Sequence, residues 1–213
     1  MKHQSNILAL KYRPLNFQDL IGQEYLVETI QKSIQQNKIP NAYIFTGIRG
    51  VGKTTTARIV AKMLNCTVFD KNNNPDLINC EQAKAITEDR HPDVIEIDAA
   101  SNTSVENARE IIENVKYNPV LGKYKVYIVD EVHMLSKSAF NALLKTLEEP
   151  PPHSKFIFAT TEISKVPITI LSRCQRFDLR RVEKKTLSDF LKSIAKKEDI
   201  KISTEALNLI VKA

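Results

Sequence analysis

"GIRGVGKT", residues 47–54, follows the apolar run "AYIFT" at 42–46 and opens a segment of helical period. That order of strand, loop and helix is the context in which the spacing G-x-x-x-x-G-K-[ST] reads as a phosphate loop. Its glycines let successive backbone N–H groups curl around a polyphosphate, and the N-terminus of the following helix adds partial positive charge. The candidate nucleotide contacts are therefore Gly47, Ile48, Arg49, Gly50, Val51, Gly52, Lys53, Thr54 and Thr55. Lys53 is placed to reach the β- and γ-phosphates, and Thr54 to offer its hydroxyl to Mg²⁺. The chain has only five glycines, and three of them fall in this loop, so glycine is kept where backbone must approach a ligand.

Working outward, three more β-rich runs appear: "DVIEID" (93–98), "KVYIVD" (125–130) and "KFIFAT" (155–160). Helical periods separate them, near 24–37, 54–65 and 105–116, the last capped by Thr103 or Ser104. Another helix starts after Ser136, with Ala139, Phe140, Leu143, Leu144 and Leu147 on one face, and stops at Pro150–Pro152. This alternation predicts an α/β fold with a parallel sheet covered by helices on both faces. The run at 125–130 ends in Asp130 and Glu131. An acidic pair closing a buried strand, in a chain with a phosphate loop, supplies a Mg²⁺ ligand in Asp130 and a general base in Glu131. The chemistry implied is nucleoside triphosphate hydrolysis.

Composition narrows the remaining classes. The 213 residues are 42% hydrophobic and 26% charged, in the range of an ordinary globular chain and outside that of disordered or collagen-like sequences. No apolar run approaches the length of a membrane span, and the start "MKHQSN" leads into no secretory signal, so no membrane partner is expected. Cys66, Cys80 and Cys174 are too few and scattered for a disulfide framework, which points to a cytoplasmic location. The net charge of +6 is concentrated at the end: residues 173–213 carry 11 basic and 6 acidic side chains. Strand signals vanish after Asp178, and amphipathic helices follow near 186–198 and 203–212. A boundary is expected at 178–182. The last segment, ending within a helical pattern, reads as a second, helical domain cut short.

Five motifs in order carry a family resemblance: "LALKYRPLNFQDLIGQE", "GIRGVGKTTTAR", "IEIDAASN", "YIVDEVHMLSKSAFNALLKTLEEPPPHSKFIFATT" and "ILSRC". From about Leu8 to the end, the chain resembles the gamma/tau family of bacterial DNA polymerase III subunits, the AAA+ ATPases of the sliding-clamp loader. The resemblance implies a P-loop NTPase fold of the AAA+ type: a parallel five-stranded sheet flanked by helices in residues 1–178, then a partial all-helical lid in 179–213. It implies an ATPase working within the DNA-directed DNA polymerase III holoenzyme, a nucleotidyltransferase complex. The expected partners are delta, delta-prime and further gamma/tau copies, the sliding clamp and primed DNA. The polymerase core is contacted through a C-terminal part of the tau form that lies beyond this chain.

By position, the resemblance makes Thr161 the sensor of the γ-phosphate and Arg173 an arginine finger offered to a neighbouring subunit's site. It sets Tyr12, Arg13 and Pro14 near adenine, though Tyr12 reads equally as a core residue. It turns Ser101–Glu106 toward DNA, where the same residues also suit plain helix capping. A second sensor arginine falls in the lid's third helix, past Ala213. The excursion 66–91 departs from the pattern. The family binds structural zinc there with four cysteines, but Asn74 and Leu77 stand where the middle two belong, leaving Cys66 and Cys80. Asp70, Asp76 and His91 are the available substitutes, and zinc is not expected. Two competing readings are a DNA helicase or branch-migration motor, suggested by "DEVH", and a structural loader subunit that does not hydrolyse ATP.

Overall fold

Strands without polar alternation are stable where both faces of a parallel sheet are covered, and the central strands here are of that kind. The computed structural model describes residues 7–71, 74–101 and 104–212. Strands β1 (Ala42–Thr46), β2 (Val94–Asp98), β3 (Lys125–Asp130), β4 (Ser154–Thr160) and β5 (Gln175–Asp178) form one parallel sheet in the order β2-β3-β4-β1-β5. Every residue of β1 and β4 is buried, as are Lys125 to Val129 of β3. The helices are α1 (Leu8–Lys11), α2 (Glu24–Gln35), α3 (Lys53–Asn65), α4 (Glu81–Thr87), α5 (Val105–Val115), α6 (Lys137–Glu148), α7 (Ile168–Leu171), α8 (Lys184–Lys197) and α9 (Thr204–Lys212).

Successive side chains of a strand point to opposite faces, so each central strand feeds two cores. Ile44, Tyr127, Val129, Phe156 and Phe158 pack on one face with Ala108, Ile111 and Val115 of α5 and Phe140, Leu143 and Leu147 of α6. Tyr43, Phe45, Val126, Ile128 and Ile157 pack on the other with Leu26 and Ile30 of α2 and Ile59, Val60 and Met63 of α3. Burying each of these large apolar side chains contributes about 1.5–3 kcal/mol relative to exposure. Ser136 caps α6 as its sequence indicates, its Oγ accepting from the Ala139 N–H at 3.1 Å.

The four strands read from the sequence are present, as is the fifth that the family resemblance implies. β5 is an edge strand with only Phe177 buried, flanked by the exposed ion pair of Arg176 and Asp178, so it lacks an apolar pattern. The excursion 66–91 contains α4, which its polar opening conceals. Thr103, one of the two caps considered for α5, lies outside the described residues. Ser104 remains, and its carbonyl accepts from the Ala108 N–H.

Asp93 precedes β2 and is fully buried. Its carboxylate accepts the N–H groups of Val120, Leu121 and Gly122, each at 2.7 Å. Burial alone would raise its pKa, but those three donors and His91 outweigh it and hold the carboxyl below its usual range. Asn65 braces the same turn, donating to the Tyr124 carbonyl and accepting from its N–H. Because the folded pKa lies below the unfolded one, the Asp93 contribution is present above about pH 4 and is lost as pH falls through the folded value. Asp93→Asn is expected to cost about 2–3 kcal/mol in urea denaturation at pH 7. The gap to wild type should narrow when the measurement is repeated toward pH 3.

Candidate functional site

Parallel strands end together at their carboxyl edge, where ligands of open α/β sheets bind. The register puts Thr46 opposite Thr160 and Asp98 opposite Asp130, so the loops after β1, β3 and β4 leave the sheet side by side. A cavity of about 910 Å³ opens there, lined by phosphate-loop residues and by Arg13, Asp98, Asp130, Glu131, His133 and Thr161.

The phosphate loop takes the conformation its glycines permit. Gly50 and Gly52 have φ of 85° and 95°, and Gly52 is the residue from which α3 starts. Gly47 has φ of 151°, and a Cβ built on it would lie 2.6 Å from the Leu179 carbonyl oxygen. Lys53 is only 6% exposed, and its ammonium donates to the carbonyls of Gly47 at 3.0 Å and Ile48 at 3.2 Å. Among the described residues no carboxylate pairs with it. A buried ammonium held only by carbonyls is the counter-charge an anionic ligand requires. Val51 turns instead toward the apolar core under the loop.

At the next strand end the Thr54 hydroxyl donates to Asp130 Oδ2 at 2.5 Å. A hydroxyl and a carboxylate side by side are the oxygen donors Mg²⁺ prefers, so these residues fit that ion. Glu131 has left-handed backbone, φ 45° and ψ 45°, uncommon for a residue with a side chain. This turn directs its carboxylate to β4, where Oε2 accepts from the Thr161 N–H at 3.0 Å and from the Thr161 hydroxyl at 2.9 Å. Strain of this kind concentrates at functional sites.

Lys53, Thr54, Asp130, Glu131 and Thr161 thus meet on one cavity. Arg13 joins them, its Nε donating to Thr55 Oγ1 at 3.2 Å. Tyr12 does not: its hydroxyl bonds Glu198 of the segment after α8. Arg173 stands apart from the cavity, its guanidinium donating to the Thr169 carbonyl at 2.6 Å and pairing with Glu148 at the end of α6. Ser101 spends its hydroxyl on Asp98 at 3.0 Å, Glu106 is exposed on α5, and Asn102 and Thr103 lie outside the described residues. Two polar residues of the lining, His133 and Asp98, carry no site signal in the sequence: His133 is the last letter of "DEVH", and Asp98 ends a strand whose register with Asp130 only the fold fixes.

Comparison with known proteins gives the family and the fold. The profile of the family described as DNA polymerase III, delta subunit, matches residues 22–204. The chain belongs to this family. Within it, the gamma/tau resemblance holds across bacteria. The chain is 48% identical to DNA polymerase III subunit tau/gamma of Haemophilus influenzae over 97% of its length and 30% of the relative's. It is 48% identical to subunit tau of Bacillus subtilis, over 95% of this chain and 36% of that one. With subunit gamma of Buchnera aphidicola (Schizaphis graminum) it shares 48% identity over 96% of this chain and 56% of the relative. The chain therefore spans about a third to a half of the relatives it matches. In fold it is similar to the Thermotoga maritima RuvB Holliday junction branch migration motor, with a TM-score of 0.67 at 18% identity over 94% of this chain and 59% of that one. A gamma subunit-related protein of the same organism gives 0.53 at 22% identity, over 80% and 51%.

The zinc site that the family resemblance implies does not fit this chain. Leu77 packs with Cys66, Cys80, Ala83 and Val68 in a small apolar cluster, so carbon fills the place of a ligand. Asn74 accepts from the Asp70 N–H through its carbonyl and donates its own N–H to Asp70 Oδ1. Asp76 uses its carboxylate on the Ile78 and Asn79 N–H groups. The purified protein is expected to hold substoichiometric zinc by elemental analysis, with a melting temperature indifferent to chelator. A second expectation concerns the loop. Gly47→Ala should destabilise by about 3 kcal/mol or more, since contact with Leu179 adds to the backbone penalty, while Gly50→Ala, with open space around it, should cost about 1–2 kcal/mol. Urea denaturation of the two variants side by side checks the difference.

Proposed function

We propose that this chain binds ATP with Mg²⁺ and hydrolyses it as a motor subunit of the bacterial clamp loader, which opens the sliding clamp and loads it onto primed DNA. The observation that carries the reading is the convergence, on one cavity, of a buried ammonium held by carbonyls, an oxygen pair suited to Mg²⁺ and a carboxylate anchored through one oxygen. Lys53 and the loop N–H groups hold the phosphates. Thr54 and Asp130 hold the metal, which when bound supplies charge neutralisation at the phosphates. Glu131 takes a proton from the attacking water as the water oxygen bonds to the γ-phosphorus and the bond to the β-phosphate oxygen breaks. Thr161 keeps that carboxylate turned to the cavity. Arg13 is the residue of the Tyr12–Pro14 segment that stands nearest the nucleotide in this reading. The reading ascribes no nucleotidyl transfer to this chain.

Arg173 acts in the site of a neighbouring copy or partner subunit, so hydrolysis depends on assembly. Residues 1–178 form the ATPase domain, and 179–213 begin a helical lid that the Tyr12–Glu198 bond ties to the N-terminal segment. Delta, delta-prime, further gamma/tau copies and the clamp are the proposed partners, Ser101–Glu106 the DNA-facing segment, and the cytoplasm the location. The branch-migration alternative has fold similarity at 18% identity behind it, against 48% identity to polymerase III subunits. A subunit without hydrolysis would have no use for the intact Lys53, Asp130 and Glu131 arrangement.

The test is steady-state ATPase of the full-length subunit assembled with its loader partners, clamp and primed DNA. Glu131→Gln should keep nucleotide binding and lose roughly 10²–10⁴ in kcat. Lys53→Ala should lose nucleotide binding. Arg173→Ala should lose about 10³ in the assembly yet bind nucleotide normally as an isolated chain. Wild-type turnover by Glu131→Gln would sink the reading.

A further inference from the structure

His133 is the one polar residue of "DEVH" with no role in the proposed hydrolysis, and its placement is specific. It sits on the 3-10 turn Val132–Met134 that follows the left-handed Glu131, with its side chain 6% exposed on the cavity wall. Nδ1 lies 3.0 Å from Thr160 Oγ1 and 3.3 Å from Glu131 Oε2. Nε2 faces Glu162 Oε1 at 3.4 Å. Thr160 Oγ1 already accepts the Glu162 N–H at 3.0 Å, which fixes the hydroxyl against the ring. Glu162 is itself held by Lys165, whose ammonium keeps that carboxyl below its usual range, with His133 adding to the effect.

We propose that His133 is a positioning residue for the general base, an inference that rests on the hydrolytic reading above. The Thr161 N–H and hydroxyl donate to one oxygen of Glu131, Oε2, and His133 Nδ1, hydrogen-bonded to Thr160 Oγ1, lies against that same oxygen at 3.3 Å. Among the described residues, none hydrogen-bonds the other oxygen. Confining one carboxylate oxygen on three sides fixes the plane and leaves Oε1 for the water. Nδ1 is held on Thr160 Oγ1 beside that oxygen and Nε2 faces Glu162, so the two nitrogens have different duties. The left-handed backbone at Glu131 brings His133 back against its own neighbour-but-one. In an extended backbone the two side chains would also share a face, but would run on along the strand direction rather than turn into the cavity.

The experiment compares His133→Ala, His133→Asn and His133→Gln in the full-length subunit assembled with its loader partners, clamp and primed DNA. Asparagine restores a donor near the Nδ1 position, and glutamine restores one farther out, near Nε2. His133→Ala should lower kcat about tenfold, the size of one lost polar contact beside the base, with KM and nucleotide affinity within about twofold of wild type. His133→Asn should recover most of the loss and His133→Gln little. If the alanine variant does not fold, the asparagine and glutamine pair decides. Equal activity in those two, unchanged kcat in His133→Ala, or a loss confined to KM overturns the positioning role. A silent His133→Ala beside an inactive Glu131→Gln defeats only this inference. An active Glu131→Gln defeats the hydrolytic reading and this inference with it.

Discussion

The in-register pairing of β1, β3 and β4 is the constraint from which the site follows. These strands are buried on both faces, so their backbone groups have no water to turn to and must pair with one another. Parallel pairing of strands of similar length then fixes where each ends. Once Thr46, Asp130 and Thr160 are brought to one edge, the phosphate loop, the acidic pair and Thr161 are neighbours without any long-range search. The cross-strand pair of Tyr127 and Phe156, with ring centroids 5.5 Å apart, supports the β3–β4 register from beneath, and Phe158 stacks on Phe156 along β4 at 6.0 Å. A one-residue slip would turn its rings to the opposite face and carry the strand ends with them.

Polar groups are buried at both ends of the sheet, but they are treated differently. At the amino end Asp93 and Asn65 are saturated by backbone donors and acceptors of the 120–124 turn. Their arrangement is complete without a ligand, as a structural brace should be. At the carboxyl end Lys53 has, among the described residues, carbonyl partners only, Thr54 and Asp130 lean on each other, and Glu131 is anchored by one oxygen. These are groups with bonding capacity left over, and they surround the large cavity. The contrast separates packing from chemistry more sharply than burial alone, which both ends share.

Much of this was legible in the sequence because the signals were local. A strand, a glycine loop and a lysine at the start of a helix are contiguous, and Asp130 and Glu131 simply follow an apolar run. Other features depended on tertiary placement and left little local trace. Gln175–Asp178 is an edge strand and needs only one buried residue, Phe177, so it shows no period. α4 follows a polar, turn-rich stretch that reads as loop throughout. His133 matters through its position against Thr160 and Glu131, and only the unusual backbone of Glu131 produces that meeting. Of the motif's Tyr12 and Arg13, only Arg13 lines the cavity, while the Tyr12 hydroxyl goes to Glu198, a pairing across the chain with no local trace.

The proposed function sets Arg173 to work outside its own chain, and its local setting suits that task. Its side chain is 31% exposed and its partner Glu148 is 49% exposed, so water screens the pair. Ion pairs of that exposure are worth about 0–1 kcal/mol, small beside the gain from desolvated contact with a phosphate. The bond from Nη1 to the Thr169 carbonyl restricts the fork to the vicinity of α7 without sealing it in the core. A guanidinium left free would lose more side-chain entropy on engaging a neighbour, and one buried in a complete network would resist leaving it. A weak surface tether lies between these limits. Within the proposed function, it keeps Arg173 oriented before assembly and yields it to a neighbouring site at little cost, so that the assembled ring, rather than the single chain, sets the rate of hydrolysis.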